Sequence, residues 1–140
     1  MIIYKENVNN VDEYNFLYDN VGWGSYDSEI SKVALANTTY SVSVYDNDEI
    51  IGYGRIIGDY VVFLCIQDVM VREDYQGQKI GTKIMNKLLE YVKEVKKFNP
   101  DLRVYLGASK NREKFYEKFG FITRKDADLG AGMILKDMAE

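Results

Sequence analysis

The chain has 140 residues, which suits one domain with a buried core, and its lack of histidine excludes Ser-His-Asp and Cys-His nucleophilic sites and most zinc sites. Its formal net charge of -4 argues against a nucleic-acid partner, and its apolar runs fall short of the ~20 residues that a membrane-spanning helix requires. Its single cysteine, Cys65, has no partner for an internal disulfide, so we expect one cytoplasmic domain over residues 1–140 that binds no metal, nucleic acid or membrane.

The first half of the chain predicts two helices and a hairpin. Val11 to Tyr18 repeats apolar residues at helical spacing, and Ser28 is a candidate N-cap for a second helix that ends at Leu35. Turn residues at 46–48 separate two runs rich in β-forming residues, which favours a hairpin. The predicted elements are a strand at 1–4, helices at 11–18 and 28–35, and strands at 40–45 and 50–57.

A buried central strand is predicted next. Tyr60 to Ile66 is continuously apolar, as expected for a strand covered on both faces, and the polar pair Gln67-Asp68 interrupts the pattern before Val69 resumes it. The interruption indicates a β-bulge or a site. Cys65 is a lone thiol in this apolar run, and we expect it to be a core residue.

A glycine-containing turn, Gln76 to Thr82, then leads into a long helix. Apolar residues recur at helical spacing from Ile80 to about Lys97, and Pro100 favours an end of the helix just before it. The first turn of a helix carries unpaired N–H groups and the positive end of the helix dipole, so a phosphate can lie against it. The spacing matches neither the Rossmann nor the P-loop pattern.

The last third of the chain predicts a parallel strand, a short helix and a closing hairpin. Residues 103–106 should lie parallel to the central strand, because a strand-helix-strand order forms a crossover unit. A turn near Ser109 leads to a short helix through Phe119 that Gly120 would close, and residues 121–124 and 133–136 predict a final antiparallel pair. These elements together favour an α+β domain with a mixed sheet.

Two segments of the chain resemble the GNAT superfamily of N-acetyltransferases. Residues 76–81, QGQKIG, are similar to its [RQ]-x-x-G-x-[GA] turn between a strand and a long helix, with Lys79 in place of the central glycine. Residues 115–121, FYEKFGF, are similar to its F-Y-E-K-x-G-F segment. The resemblance implies a GNAT-like fold, with a mixed, mostly antiparallel sheet of about six to seven strands and about four flanking helices.

The resemblance also implies acetyl-CoA as the co-substrate. Its pyrophosphate would lie against backbone N–H groups of the glycine turn, and its pantetheine arm would pair with the central strand as a neighbouring strand does. Lys79 could either offer charge to a phosphate or obstruct the turn. The candidate CoA-binding residues are Val69, Met70, Val71, Gln76, Gly77, Gln78, Lys79, Ile80, Gly81, Thr82 and Asn111.

Catalytic groups follow from the same resemblance. A backbone N–H near Val69 or Met70 would stabilise the oxyanion, and Tyr116 stands where the family's tyrosine protonates the departing thiolate. An ordinary packed tyrosine is the alternative for Tyr116. Asp68 is the candidate general base or water-orienting residue, with a structural acceptor for loop N–H groups as its alternative.

Selection of the acceptor is expected to fall to the two early helices, the loop around Trp23 and the hairpin. Trp23 lies between two glycines and could form a pocket wall or hold the early helices on the sheet. Arg55 could bind a carboxylate or be solvated. The candidate substrate-binding residues are Trp23, Tyr53, Arg55 and Gln67.

We therefore expect an N-acetyltransferase that moves an acetyl group from acetyl-CoA to a primary amine of a small molecule or a protein by direct attack in a ternary complex. A homodimer is expected by family analogy alone. Two alternatives are a non-catalytic acyl-CoA-binding module and an interaction domain that binds no CoA.

Overall fold

A computed structural model describes residues 1–136 of the chain. The chain divides into two compact units, Met1–Gly107 and Ala108–Glu140. The first unit contains the sheet and its large helices, and the second contains a short helix followed by turns.

The sheet lies in the first unit and, within the described residues, has five strands in the order β1-β2-β3-β4-β5. Neighbouring strands from β1 to β4 are antiparallel, whereas β4 and β5 are parallel, as the crossover through a helix predicts. The strands are β1 (Ile2–Glu6), β2 (Tyr40–Asp46), β3 (Glu49–Gly58), β4 (Phe63–Val71) and β5 (Arg103–Leu106).

The helices of the described residues are α1 (Val11–Asn20), α2 (Ser28–Ala36), α3 (Ile80–Phe98) and α4 (Glu113–Glu117). Asn10 caps α1, because its side-chain oxygen accepts the backbone N–H of Glu13 at 2.9 Å. The carboxylate of Asp27 caps α2 in the same way, so the expected N-cap, Ser28, is instead the first helical residue.

Strand β3 is covered on both faces. A Cβ atom built at Gly52 or Gly54 would meet Ile84 of α3, whereas Tyr53 between them packs edge-on against Tyr14 of α1, with ring centroids 5.6 Å apart. Alternate side chains of a strand point to opposite faces, so α1 and α3 lie on opposite sides of the sheet. The continuous burial of β3 from residue 50 to residue 56 follows from this arrangement.

Three expectations about strands were wrong. The sheet has five strands in the described residues instead of six to seven, because residues 121–124 and 133–136 form none. Thr123 and Arg124 accept local bonds from the N–H groups of Ala127 and Leu129, so this backbone turns instead of pairing. Strand β4 starts at Phe63 instead of residue 60, since Asp59 accepts the N–H groups at 61, 62 and 63 in a turn.

Candidate active site

The central strand, β4, extends beyond the end of its parallel neighbour, β5. Strands β4 and β5 pair from Phe63 and Arg103 to Ile66 and Leu106, where β5 ends, and β4 continues to Val71. Because Arg72 donates its backbone N–H to Ile51 of β3 at 2.8 Å, alternation along the strand turns the N–H of Val71 away from β3. This edge of β4 can therefore pair with an extended ligand.

A β-bulge lies at the point where the two strands part, as the polar pair predicts. Tyr53 pairs with Met70 and Arg55 with Gln67, so two residues of β4 oppose Gly54. Asp68 is in the bulge and has left-handed backbone, with φ of 56°. A residue with a Cβ rarely adopts this conformation unless its surroundings impose it.

The Asp68 side chain is engaged on the α1 face of the sheet. Its carboxylate accepts hydrogen bonds from the hydroxyls of Tyr14, at 2.6 Å, and of Tyr18, and it forms an ion pair with Arg55, Nε to Oδ2, at 2.8 Å. The side chains of Asp68 and Arg55 are 7% and 10% exposed. Arg55 also donates to the carbonyl of Ala34 at 3.0 Å and to the hydroxyl of Thr38 at 3.3 Å.

The two tyrosines of this cluster are neutral hydrogen-bond donors at ordinary pH. Burial, followed by the hydrogen bond to Asp68, raises the pKa of Tyr14 to about 12. The same causes raise the pKa of Tyr18. The Asp68 carboxylate is thus the common acceptor of two neutral hydroxyls and one guanidinium.

The glycine turn contains two further residues with left-handed backbone. Gly77 has φ of 84° and Lys79 has φ of 63°, and α3 begins at Ile80. The Lys79 side chain makes no capping hydrogen bond within the described structure. Gln76 donates through Nε2 to the carbonyl of Val71 at 3.0 Å, which ties the turn to the end of β4. The turn therefore connects the open edge of β4 to the unpaired N–H groups at the start of α3.

Each expected acceptor-side residue has a definite place in the first unit. Arg55 is buried in the ion pair with Asp68, which excludes the alternative that it is solvated. Tyr53 is 3% exposed and donates its hydroxyl to Asn9 at 2.6 Å, which makes it a core residue.

Gln67 donates through Nε2 to the half-buried Sγ of Cys65 at 3.2 Å. Trp23 is exposed and packs edge-on against Tyr18.

In the second unit, Tyr116 lies on α4. Its ring packs edge-on against Phe115 and Phe121, with centroid distances of 5.0 and 6.5 Å. Burial raises the pKa of Tyr116. Asn111 is exposed in the preceding loop, with left-handed backbone.

Sequence reasoning missed the part that Tyr14 and Tyr18 take in the site. Their i, i+4 spacing on α1 predicts a packed helical stripe and does not indicate what their hydroxyls bond to. A buried tyrosine hydroxyl requires a hydrogen-bond partner, which was the available signal. Within residues 1–136, no cluster of three or more His, Cys, Asp or Glu side chains could hold a metal ion, and no helix is long and apolar enough to span a membrane.

A comparison with known protein families identifies the family of this chain. The model of the acetyltransferase (GNAT) domain family matches residues 12–139. The chain belongs to the GNAT acetyltransferase family. Its GNAT fold is shared with a crystal structure of a protein of unknown function, a probable acetyltransferase, from methicillin-resistant Staphylococcus aureus, at 32% identity and a TM-score of 0.85 over 97% of this chain and 99% of that one.

Curated relatives of this GNAT protein include two named proteins. The uncharacterized N-acetyltransferase ycf52 of Pyropia yezoensis is 28% identical over 94% of this chain and 75% of its own length. Protein ElaA of Escherichia coli strain K12 is 39% identical over 56% of this chain and half of its own length.

Proposed function

We propose that this GNAT protein is an acetyl-CoA-dependent N-acetyltransferase that transfers an acetyl group to a primary amine by direct attack in a ternary complex. One observation carries the proposal. The edge of β4 that extends beyond β5 leads through the glycine turn to the start of α3. A strand edge and a helix N-terminus in series suit a ligand with an amide-containing arm and a pyrophosphate.

Coenzyme A would bind mainly to backbone groups in this arrangement. Its pantetheine amides would pair with Val69 and Val71, whose N–H groups turn away from β3 by the alternation established at Arg72. Its pyrophosphate would lie against the N–H groups of residues 76–82. Asn111 is proposed as a further CoA contact.

The oxyanion of the tetrahedral intermediate would form beside the bulge. Alternation along β4 directs the N–H of Met70 toward β3, so Val69 is the better of the two donors for the thioester oxygen. A backbone donor positioned in this way lowers the barrier without reorganisation during the reaction.

Tyr116 is proposed as the general acid. Attack of the amine forms the new C–N bond, and collapse of the intermediate breaks the C–S bond and releases the thiolate of CoA. Tyrosine ionises only near pH ~10, and burial raises the pKa of Tyr116 further, so its hydroxyl holds a proton at neutral pH that it would donate to that thiolate. The attacking amine would lose its proton to water, since the donors around Asp68 occupy its carboxylate.

A non-catalytic acyl-CoA-binding module is the second candidate. The engaged carboxylate of Asp68 favours it, because a general base at this position would need a free oxygen. Lys79 favours it as well, since a side chain stands where the family turn has glycine.

A binding experiment and a kinetic experiment test the proposal in sequence. Acetyl-CoA at ~100 times its dissociation constant should raise the free energy of unfolding by about 2.7 kcal/mol, measured by thermal shift against free CoA and an adenine nucleotide. No shift at millimolar acetyl-CoA would contradict both CoA-dependent functions.

Tyr116→Phe separates the enzyme from the binding module. In a thiol-release assay with a panel of amines, we expect kcat to fall by more than about tenfold while the affinity for acetyl-CoA is kept. Tyr91→Phe is the matched control, because Tyr91 is an α3 residue that stacks on Tyr40 at 4.6 Å. An unchanged rate in Tyr116→Phe would remove the acid assignment, and no turnover of any amine by the wild-type protein would favour the binding module.

A further inference from the structure

The bulge in β4 is held from outside its own strand. Asp68 contributes its carboxylate from the bulge, Tyr14 and Tyr18 contribute hydroxyls from α1, and Arg55 contributes its guanidinium from β3. We call these four residues the bulge clamp. Since Arg55 also donates to Ala34 at the end of α2, the clamp joins both early helices to the bulge.

The clamp has the features of a rigid unit. The side chains of its ion pair are 10% exposed or less, and Tyr14 is 4% exposed. The ring of Tyr14 lies 4.8 Å from that of Tyr18, and the Arg55 guanidinium lies 5.8 Å from the Tyr14 ring centroid. Buried and mutually bonded groups of this kind hold one another in a single geometry.

The clamp also accounts for the backbone at Asp68. Left-handed backbone at a residue with a Cβ persists where the surrounding structure imposes it. The three partners of the Asp68 carboxylate fix its side chain and so restrict the backbone dihedral angles of Asp68. Val69, the next residue, is the proposed oxyanion donor, so the direction of its N–H depends on the Asp68 dihedral angles. A displacement of about 1 Å at such a donor can lower a rate by roughly 100-fold.

We infer that Asp68 is a positioning residue: Tyr14, Tyr18 and Arg55 fix its carboxylate so that the bulge presents the Val69 N–H to the thioester oxygen of acetyl-CoA. The inference rests on the proposed acetyltransferase function. Under this inference α1 contributes to acetyl transfer independently of acceptor binding. The hydroxyls of Tyr14 and Tyr18 hold Asp68, and Asp68 in turn orients the Val69 N–H.

Kinetics of Asp68→Asn distinguish positioning from proton transfer. For a positioning residue, kcat should fall on the order of 100-fold, with the KM for acetyl-CoA little changed and the midpoint of the pH profile of kcat/KM unmoved. Loss of the ascending limb of that profile would instead identify Asp68 as the general base and overturn the inference.

Tyr18→Phe tests the clamp without a change of charge. We expect kcat to fall on the order of tenfold, and the carbonyl stretching frequency of bound ¹³C-acetyl-CoA to shift toward its value in water, because the oxyanion donor is less well aligned. This variant decides the question by itself if Asp68→Asn does not fold.

Tyr45→Phe is the matched control. Tyr45 is 6% exposed and donates its hydroxyl to Glu13 of α1 at 2.6 Å, so the variant also removes a tyrosine-carboxylate bond between α1 and the sheet, but one outside the clamp. It should reduce stability and leave kcat and the carbonyl frequency unchanged. Equal effects of Tyr18→Phe and Tyr45→Phe on kcat would overturn the inference. If the wild-type protein neither binds acetyl-CoA nor releases thiol, the proposed function itself fails and the inference fails with it.

Discussion

At the scale of single residues, two candidate-site residues of the first unit carry side chains on left-handed backbone, Asp68 and Lys79. Asp68 is held there by hydrogen bonds and an ion pair, whereas the Lys79 side chain makes no capping bond within the described residues. The conformation of Lys79 explains why the family pattern has glycine at this position. A residue without a Cβ adopts this backbone without strain.

Replacement of Lys79 by glycine should stabilise the protein. We expect Lys79→Gly to raise the free energy of unfolding by about 0.5–1 kcal/mol, because relief of the left-handed strain exceeds the entropy that glycine adds to the unfolded chain. Urea unfolding of the wild type, Lys79→Gly and Lys79→Ala measures this. The alanine variant keeps the Cβ and should gain little, and equal gains in both variants would contradict the strain argument.

The same two variants test the charge of Lys79. If the ammonium group binds a phosphate of CoA, both variants should bind acetyl-CoA more weakly than the wild type, and the difference should shrink as salt rises. Tighter binding by Lys79→Gly would show instead that the side chain obstructs the turn.

At the scale of elements, α3 approaches β3 closely because the strand has glycine at the two positions that face the helix, Gly52 and Gly54. A Cβ at Gly54 would lie 2.7 Å from Cγ2 of Ile84 and 3.3 Å from Cδ1 of Leu88, and both of these residues are fully buried. The methyl group of Ile84 is attached directly to its Cβ, so it has little freedom to move away.

Gly54→Ala should therefore destabilise the protein by overpacking. We expect the free energy of unfolding to fall by about 1–3 kcal/mol, because α3 must shift away from β3 or Ile84 must leave its rotamer. Chemical denaturation with Gly107→Ala as the control checks this. A Cβ at Gly107 would meet no described atom within 4 Å, and an equal loss in the two variants would exclude the packing explanation.

Elements with a strong local signal were predicted well from the sequence. The helix predicted from Ile80 to about Lys97 is α3, Ile80–Phe98, and the strand predicted at 103–106 is β5. Residues 121–124 and 133–136 have short β-type patterns but form turns and irregular structure. A run of about four residues makes a strand only when a neighbouring edge accepts its hydrogen bonds, and a single sequence does not reveal that neighbour.

At the scale of the whole molecule, carboxylates paired in the folded state determine the response to acid. The N–H of Phe63, followed by those of Val62 and Val61, lowers the pKa of Asp59. The hydroxyl of Tyr75 lowers the pKa of Asp46. A group whose pKa is lower in the folded state contributes stability above its unfolded pKa, about 3.9 for aspartate, and loses it as pH falls through the folded value.

We therefore expect the free energy of unfolding to decrease as pH falls below about 4. Asp59→Asn should show a shallower decrease, because asparagine can still accept backbone N–H groups in the turn but does not titrate. Thermal unfolding between about pH 2 and pH 7 measures both slopes. Identical slopes would mean that the Asp59 turn does not couple folding to protonation, with Asp126→Asn as a control for a change of net charge.

The sequence by itself determined the features that depend on neighbours along the chain: the helical repeat of α3, the polar interruption of β4 at Gln67-Asp68, the glycine turn and the family motifs. Only the tertiary structure determined which side chains bind the Asp68 carboxylate in the bulge. Tyr14 and Tyr18 lie 54 and 50 residues from Asp68 in the chain, and Arg55 lies 13 residues away. Side-chain partners at such separations meet only after α1 and β3 pack around β4. For this reason the sequence left Asp68 as either a general base or a structural acceptor, whereas the fold surrounds its carboxylate with two hydroxyls and a guanidinium.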